Sequence, residues 1–320
     1  MVHPDGLEPP AFWFEAKRSI HLSYGCVLEV IITRVIYLSY ISFNTFNFSA
    51  TIVLMSIIDV IVLGLVQGIT EFIPISSSGH LAIISNLLGI SNAFTFDVLL
   101  NFGTLLALII FYRQRIKLIF TRIFKAKEWV FITKVILATI PALLVGIFLK
   151  DEIEKLNGMI WVVIVMLIVI GIPMIVVGKA KSRADDREVE KSVGWKATLK
   201  IGIAQALAFI PGTSRSGITI LAGLRSNLSA ARAAEFSFLL AIPVIAGASF
   251  MTLLSGEGIE FVTNNLMLVI VGNVTSFIAG ILAVSFFIRF ISKRGLKGFG
   301  WYRICLAILL IMFAWVGVIQ

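Results

Sequence analysis

Apolar residues from position 55 onward form long uninterrupted runs and shorter broken ones. A helix needs roughly 20 apolar residues to cross about 30 Å of hydrocarbon. Runs of about that length occur at about 94–112, 130–149, 159–178, 232–255, 265–288 and 302–319. The pattern therefore predicts an all-α, polytopic membrane protein with six full spans.

Two more apolar stretches, 57–88 and 198–228, are interrupted by proline, glycine and serine. Their pieces are too short to span, and irregular backbone is tolerated at membrane depth only where protein buries it or it lines a cavity. We therefore expect two re-entrant hairpins. In each, a helix enters the membrane, turns near Pro74 or Pro211, and a second helix returns to the same side.

The order of one hairpin and three spans occurs twice, so the chain contains an internal repeat, at about 55–180 and 195–320. Three spans change the side of the membrane whereas a hairpin does not, and the second copy must therefore be inverted. Inverted repeats with broken helices are a transporter architecture, and they place the site where the two copies meet.

Individual residues support the repeat. Gln67 and Gln205 each precede a Phe-Ile-Pro sequence, at 72–74 and 209–211. Beyond these, we align Ser77, Ser78 and Gly79 with Ser214, Ser216 and Gly217, and further on Phe96, Leu99 and Leu100 with Phe236, Leu239 and Leu240. The alignment predicts two turns that meet near the middle of the membrane.

Composition agrees with a membrane protein, because only 14% of residues are charged, against about 25% in soluble proteins. Basic residues account for the net charge of +9 and gather in the loops 113–129, 179–200 and 289–303. The positive-inside rule places these loops in the cytoplasm and the acidic or neutral loops 150–158 and 255–265 outside. The charge therefore reflects topology rather than nucleic-acid binding. The first hairpin is expected to enter from outside and the second from the cytoplasm.

Residues 1–54 do not follow the repeat, and Glu29 and Arg34 interrupt their longest apolar run. We interpret them as a doubtful N-terminal extension, with translation beginning at Met55; a signal or anchor segment is the alternative. Residues 55–320 are predicted to form a single membrane domain. No functional residue is assigned before Met55.

Ionisable residues inside the predicted hairpins are costly to bury and are therefore candidates for function. Glu71 follows Gln67 by four positions, so both point to one face of a helix. A carboxylate and an amide oxygen can hold Mg²⁺ or Ca²⁺, hard cations that prefer oxygen ligands. A hydrogen bond at a helix N-terminus or between helices is the structural alternative for this pair.

The first turn also carries Ser76, Ser77 and Ser78, followed by His80. Hydroxyls and free backbone N–H groups at the start of a helix are suited to receive an anion. A serine becomes a nucleophile when a base lies nearby, and histidine can be that base. A purely structural histidine is the alternative.

The second turn carries Arg215, flanked by Ser214 and Ser216 and followed by Thr219. A guanidinium binds phosphate through two N–H groups and stays charged when partly buried. Contact of Arg215 with lipid headgroups is the alternative, but its place in the middle of the hairpin disfavours it. A carboxylate that holds a cation, a serine with a base and an arginine facing phosphate together indicate phosphoryl transfer.

At these residues the sequence resembles the bacitracin-resistance family of undecaprenyl diphosphate phosphatases. The family is marked by a [E/Q]xxxE segment that leads into a PxSSxGH-like stretch, and by a PGxSRSxxT motif. In this chain they stand as QGITE, PISSSGH and PGTSRSGIT. The resemblance extends over 55–320. Gln67 is the permitted alternative to glutamate, which leaves one carboxylate at this point.

The resemblance implies removal of the terminal phosphate from undecaprenyl diphosphate, reached from the outer face of the cell membrane, so that the lipid carrier is reused in cell-wall synthesis. By position, Glu71 with Gln67 would handle the metal or water and Arg215 the phosphate. The remaining phosphate contacts would come from Ser76, Ser78, Ser214, Ser216 and Thr219. Ser77 activated by His80 is favoured as the nucleophile, and a phosphohistidine at His80 is the competing mechanism.

Two other classes of protein share some of these sequence features. A polyprenyl-phosphate flippase or transporter fits the inverted repeat, since fold does not fix function. Type-2 phosphatidic acid phosphatases also use an SGH-like stretch and a Ser-Arg pair, but they need a histidine downstream of that arginine, and none follows His80. The expected partners are a polyprenyl diphosphate and membrane lipids, with a homodimer left open and no nucleic acid.

Overall fold

The structure is a computed structural model, and it describes residues 55–90, 94–126, 129–156, 159–177 and 189–316. Residues Ile52–Gln320 form one compact unit. The regular secondary structure of the described residues is helical, which confirms the predicted all-α class. The predicted N-terminal extension lies outside the described residues.

The helices begin and end as follows. They are α1 (Ile57–Phe72), α2 (Ser77–Leu87), α3 (Phe94–Leu99), α4 (Asn101–Phe111), α5 (Arg113–Ala126), α6 (Val130–Phe148), α7 (Lys150–Leu156), α8 (Ile160–Val177), α9 (Val189–Ser192), α10 (Trp195–Ala206), α11 (Arg215–Arg225), α12 (Ala230–Leu254), α13 (Gly256–Arg294) and α14 (Lys297–Trp315). A 3₁₀ turn, Leu207–Phe209, extends α10.

Six helical segments of the described residues are long and apolar enough to cross a membrane, as predicted. They are Phe94–Phe111, which combines α3 and α4, and the helices α6, α8, α12, α13 and α14. Two differ from the apolar runs in detail. The first is broken at Leu100, and α13 contains a kink at Asn265, with φ −131° and ψ 30°. The predicted start at about 265 therefore coincides with this kink, and the helix continues before it.

Both broken stretches form a helix, a turn and a second helix, α1–α2 and α10–α11. Proline explains each break, because it disfavours helical backbone in the residue before it: α1 ends two residues before Pro74, and the 3₁₀ turn ends two residues before Pro211. Re-entry of these hairpins into the membrane stays a prediction.

The two turns have the same backbone, but their alignment differs from the predicted one. Ser76 and Ser214 adopt positive φ values of 77° and 70°. Each caps the following helix, since its Oγ accepts a hydrogen bond of 3.2 Å from the N–H of Gly79 or Gly217. Ser214 therefore corresponds to Ser76 and not to Ser77 as aligned above. Ser77 instead corresponds to Arg215, the first residue of α11.

Each hairpin packs against the other repeat. Helix α1 lies along α13, α10 lies along α6, and α8 packs against α14. Small residues form the α1–α13 contact: a Cβ added at Gly68 would lie 2.5 Å from the Ser276 carbonyl oxygen and 2.6 Å from the Ala279 Cβ. Lipid tails provide no hydrophobic drive for helices to associate, so close backbone approach through small residues is what holds them together.

We expect Gly68→Ala to destabilise the protein, because the new methyl group forces α1 away from α13. Overpacking of this kind costs about 1–3 kcal/mol. Gly247→Ala is the matched control, since nothing lies within 4 Å of its added Cβ and alanine favours a helix interior. Thermal unfolding of purified protein should show a lower midpoint for Gly68→Ala only. Equal midpoints would contradict this packing.

Candidate active site

The first residues of α2 and α11, Ser77 and Arg215, meet at one carboxylate. Ser77 Oγ donates to Glu71 Oε2 at 2.7 Å, and Arg215 Nη2 donates to Glu71 Oε1 at 2.7 Å. The side chains of Arg215 and Glu71 are each 11% exposed, so this ion pair is largely shielded from water. Three of the residues predicted to be catalytic are thus brought together, and the carboxylate joins the two hairpins.

Two amides continue this hydrogen-bonded chain. Gln67 is 1% exposed, and its Nε2 donates to Glu71 Oε2 at 3.2 Å and to Asn101 Oδ1 at 2.6 Å. The contact with Glu71 was expected from the four-residue spacing. Asn101 was missed, because a polar residue in an otherwise apolar run carries no signal of its partner.

His80 lies beside the site but does not contact Ser77. Its Nδ1 donates to the Ser76 carbonyl at 2.7 Å, and its Nε2 is 2.7 Å from the Tyr302 hydroxyl. The His80 and Tyr302 rings are stacked, with centroids 5.8 Å apart. The structure therefore does not pair His80 with Ser77 as expected, and Glu71 is the base within hydrogen-bonding reach of the Ser77 hydroxyl.

Most hydroxyls of the predicted phosphate-binding set build the turns. The Oγ atoms of Ser76 and Ser78 are 3.3 Å apart, as are those of Ser214 and Ser216. Thr219 is fully buried, and its Oγ1 bonds to the Arg215 carbonyl at 2.7 Å and to Ser237 Oγ at 2.6 Å. Direct phosphate contact by these groups stays a prediction.

A cavity of about 1040 Å³ opens beside the carboxylate. Its polar lining includes Gln67, Glu71, Ser77, Ser78 and Asn101. Its walls also include apolar residues from several helices, among them Leu81, Phe94, Ile160, Val163 and Phe261. The volume is at the upper end of that typical of ligand pockets, and the mixed lining suits a ligand with a charged head and an apolar chain.

A model of one protein family matches residues 60–309, described as bacitracin resistance protein BacA. The chain belongs to the BacA family. The match contains every site residue described above and both hairpins apart from the first three residues of α1. The relatives of this BacA chain include proteins named undecaprenyl-diphosphatase, and their sequences align over nearly their full length.

Three such relatives illustrate the similarity. The protein of Bdellovibrio bacteriovorus is 38% identical over 269 residues, which cover 82% of this chain and 98% of the relative. That of Porphyromonas gingivalis is 37% identical over 280 residues, 82% of this chain and 99% of the relative. Undecaprenyl-diphosphatase 1 of Clostridioides difficile is 40% identical over 273 residues, 82% and 98% respectively.

A buried arginine in α14 holds both turns of this BacA-family chain. Arg303 is 0% exposed and donates to the carbonyl oxygens of Pro74 at 3.4 Å and Gly212 at 2.6 Å. It also donates to Met166 and Leu167 in α8. The assignment of Arg303 to the basic loop 289–303 is wrong, because it lies inside α14 and is fully buried. Carbonyls released by the two turns need donors inside the protein, and Arg303 provides them.

The expected cation site can be tested against this geometry. Both oxygens of Glu71 already accept hydrogen bonds, from Arg215 on one side and from Ser77 and Gln67 on the other. The adjacent guanidinium also repels a second positive charge. Among the described residues, no group of three His, Cys, Asp or Glu side chains could hold a metal ion. Gln67 and Glu71 as placed therefore do not fit a cation held by these two residues alone.

Proposed function

We propose that this protein hydrolyses undecaprenyl diphosphate to undecaprenyl phosphate and inorganic phosphate. The observation that carries the proposal is Glu71, which bonds both a serine hydroxyl and an arginine beside a large cavity. Membership of the BacA family and relatives named undecaprenyl-diphosphatase support the substrate. Reuse of the lipid carrier in cell-wall synthesis and bacitracin resistance follow from the family. The flippase alternative gains no support, since those relatives are named for hydrolysis.

Ser77 is suited to attack the terminal phosphorus atom. As the new bond between Ser77 Oγ and phosphorus forms, the Ser77 proton passes to Glu71 Oε2, and the bond from that phosphorus to the bridging oxygen breaks. Undecaprenyl phosphate leaves with the proton returned from Glu71. Water then attacks the phosphorus atom of the phosphoserine and loses a proton to Glu71. The bond between that phosphorus and Ser77 Oγ breaks, Glu71 returns the proton to Ser77 Oγ, and inorganic phosphate departs.

Arg215 stabilises the charge on the transferred phosphoryl group. Its Nη2 bonds Glu71 and its Nη1 donates to the Ser237 carbonyl at 3.4 Å. A guanidinium carries five N–H donors in a planar fork, so others remain for phosphate oxygens. Arrangement of these donors before the reaction is the main way in which enzymes accelerate phosphoryl transfer.

We propose that a divalent cation, Mg²⁺ or Ca²⁺, enters the site on the diphosphate rather than bound to Gln67 and Glu71. Phosphate oxygens are good ligands for such ions, whereas the Glu71 oxygens are engaged. Titration of the protein with Mn²⁺, with and without a diphosphate analogue, tests this: strong binding without the analogue would contradict it.

We propose that the cavity opens toward the outer face of the cell membrane. The acidic segment formed by Ser255 and the first turns of α13 lines the cavity through Ser255, Glu257 and Glu260. Helix α5 joins the first span to the second and is strongly basic, so the positive-inside rule favours the cytoplasm for it. Three spans, α6, α8 and α12, lie between α5 and this acidic segment. Because the number is odd, the two lie on opposite sides of the membrane. A homodimer stays a prediction.

Phosphate release from a C55 diphosphate by purified protein tests the function. Arg215→Lys should lower turnover by about 100-fold or more, because a point charge cannot bond Glu71, the Ser237 carbonyl and phosphate in one plane. Arg225→Lys, in the last turn of the same helix, should retain activity. Absence of phosphate release by the wild type would contradict the proposed function. An active Arg215→Lys variant would contradict the proposed role of the guanidinium.

Rapid quenching with labelled diphosphate should trap an acid-stable phosphoserine in the wild type and none in Ser77→Ala. The phosphate ester of a serine survives acid, whereas a phosphohistidine does not. An acid-labile, base-stable adduct that persists in Ser77→Ala would transfer the nucleophile's role to His80. The absence of both adducts would indicate direct attack by water.

Cysteine labelling tests the orientation, in a background with Cys26→Ser and Cys305→Ser. Lys125→Cys, at the end of α5, should react with a membrane-impermeant maleimide only after permeabilisation. Glu257→Cys, at the start of α13, should react in intact cells because this position lines the cavity that is proposed to open outside. The opposite pattern would invert the proposed topology.

A further inference from the structure

The Gln67 amide has one orientation, in which it is held between Glu71 and Asn101. The carboxylate of Glu71, paired with Arg215, can only accept hydrogen bonds, so the Gln67 atom that faces it is Nε2. The same Nε2 lies 2.6 Å from Asn101, whose facing atom must therefore be the acceptor Oδ1. The network thus leaves one arrangement of both amides, in which Asn101 directs the Gln67 N–H groups toward Glu71.

A break in the first span places Asn101 at this point. Helix α3 ends at Leu99 and α4 begins at Asn101. Backbone groups at the break bond to α13, since Ser276 Oγ donates to the Leu100 carbonyl at 3.1 Å and Asn273 Oδ1 accepts from the Gly103 N–H at 2.7 Å. Asn101 also lines the cavity. The polar contacts with α13 therefore hold Asn101 where it reaches both Gln67 and the cavity.

The second repeat shows what the fold itself requires here. The alignment of Leu100 with Leu240 makes Ala241 the counterpart of Asn101, and Ala241 is 0% exposed. Gln205, the counterpart of Gln67, donates through Nε2 to the Ala138 carbonyl at 3.3 Å, and its buried Oε1 has no hydrogen-bond partner. A similar turn is thus built with alanine at this position, so the architecture does not need the asparagine.

We propose that Asn101 is a positioning residue for the reaction, which acts on Glu71 through Gln67. Gln67 held in this way donates to Glu71 Oε2, the oxygen that also accepts the Ser77 proton. The inference rests on the proposed phosphatase function and adds to it a residue from a third element, the broken first span. Asn101 sets the rotation of the carboxylate between the nucleophile and the arginine.

The test compares two substitutions of different chemistry. Asn101→Leu removes the acceptor and should lower kcat by about 10- to 100-fold, as misplacement of a reacting group does, with KM nearly unchanged. Asn101→Gln keeps a neutral amide whose oxygen can face Gln67 and should retain most of kcat. Gln205→Leu is the matched control in the second repeat and should leave kcat unchanged.

A double-mutant cycle distinguishes positioning from a structural role. Gln67→Leu combined with Asn101→Leu should be no less active than Gln67→Leu alone, because Asn101 acts only through Gln67. Additive losses, an Asn101→Gln variant as inactive as Asn101→Leu, or a raised KM with unchanged kcat would each overturn the proposal. An inactive wild type would overturn the phosphatase function instead.

Infrared difference spectra provide a readout that does not depend on turnover. Subtraction of the spectrum of Glu71→Gln, made in the same background, from that of each protein isolates the Glu71 carboxylate bands. These bands should shift in Asn101→Leu and stay in place in Gln205→Leu. Unshifted bands in a folded Asn101→Leu protein would overturn the role of Asn101, whatever the substrate.

Discussion

The ion pair between Glu71 and Arg215 sets the requirements that the surrounding structure meets. A buried charge is tolerated only with a well-placed partner and further hydrogen bonds, and the two residues come from different halves of the chain. Each hairpin must therefore bring its turn to the same point in the structure. Ser77 and Gln67 complete the bonding of the carboxylate, and the Ser237 carbonyl shares in that of the guanidinium. The groups suited to chemistry are thus the same groups that make the pair stable.

The internal repeat explains why the site carries different side chains on two turns of the same backbone conformation. The turns share serine caps at positive φ, yet the next residue is Ser77 in one and Arg215 in the other. Because the backbone is duplicated, Ser77 and Arg215 occupy equivalent positions at the start of α2 and α11. Their side chains differ, so one can serve as nucleophile and the other can bind phosphate. The carboxylate has no counterpart in the second copy, where Ala208 and Phe209 occupy the corresponding region.

Hydropathy predicted the spans and spacing predicted the Gln67–Glu71 contact because both depend on local pattern. What escaped prediction depends on distant partners. The first span is interrupted at Leu100, although no proline or glycine adjoins it in sequence. Its carbonyl accepts a hydrogen bond from Ser276 of α13, a partner that the local sequence does not reveal. Arg303 has the sequence context of a basic loop residue, but it is buried and donates hydrogen bonds to turn carbonyls of both hairpins. His80 contacts Tyr302, 222 residues away in sequence, and not the neighbouring Ser77.

The placement of Arg303 in the last helix has a consequence for synthesis. A chain emerging from the ribosome delivers Glu71 first and Arg215 144 residues later. Arg303, the donor that joins both turns, follows 88 residues after Arg215, close to the C-terminal end. Until then the early carboxylate lacks its counter-charge and the turn carbonyls lack their shared donor. The two turns therefore gain their shared donor only once α14 has been synthesised, and a chain that ends before α14 would lack it.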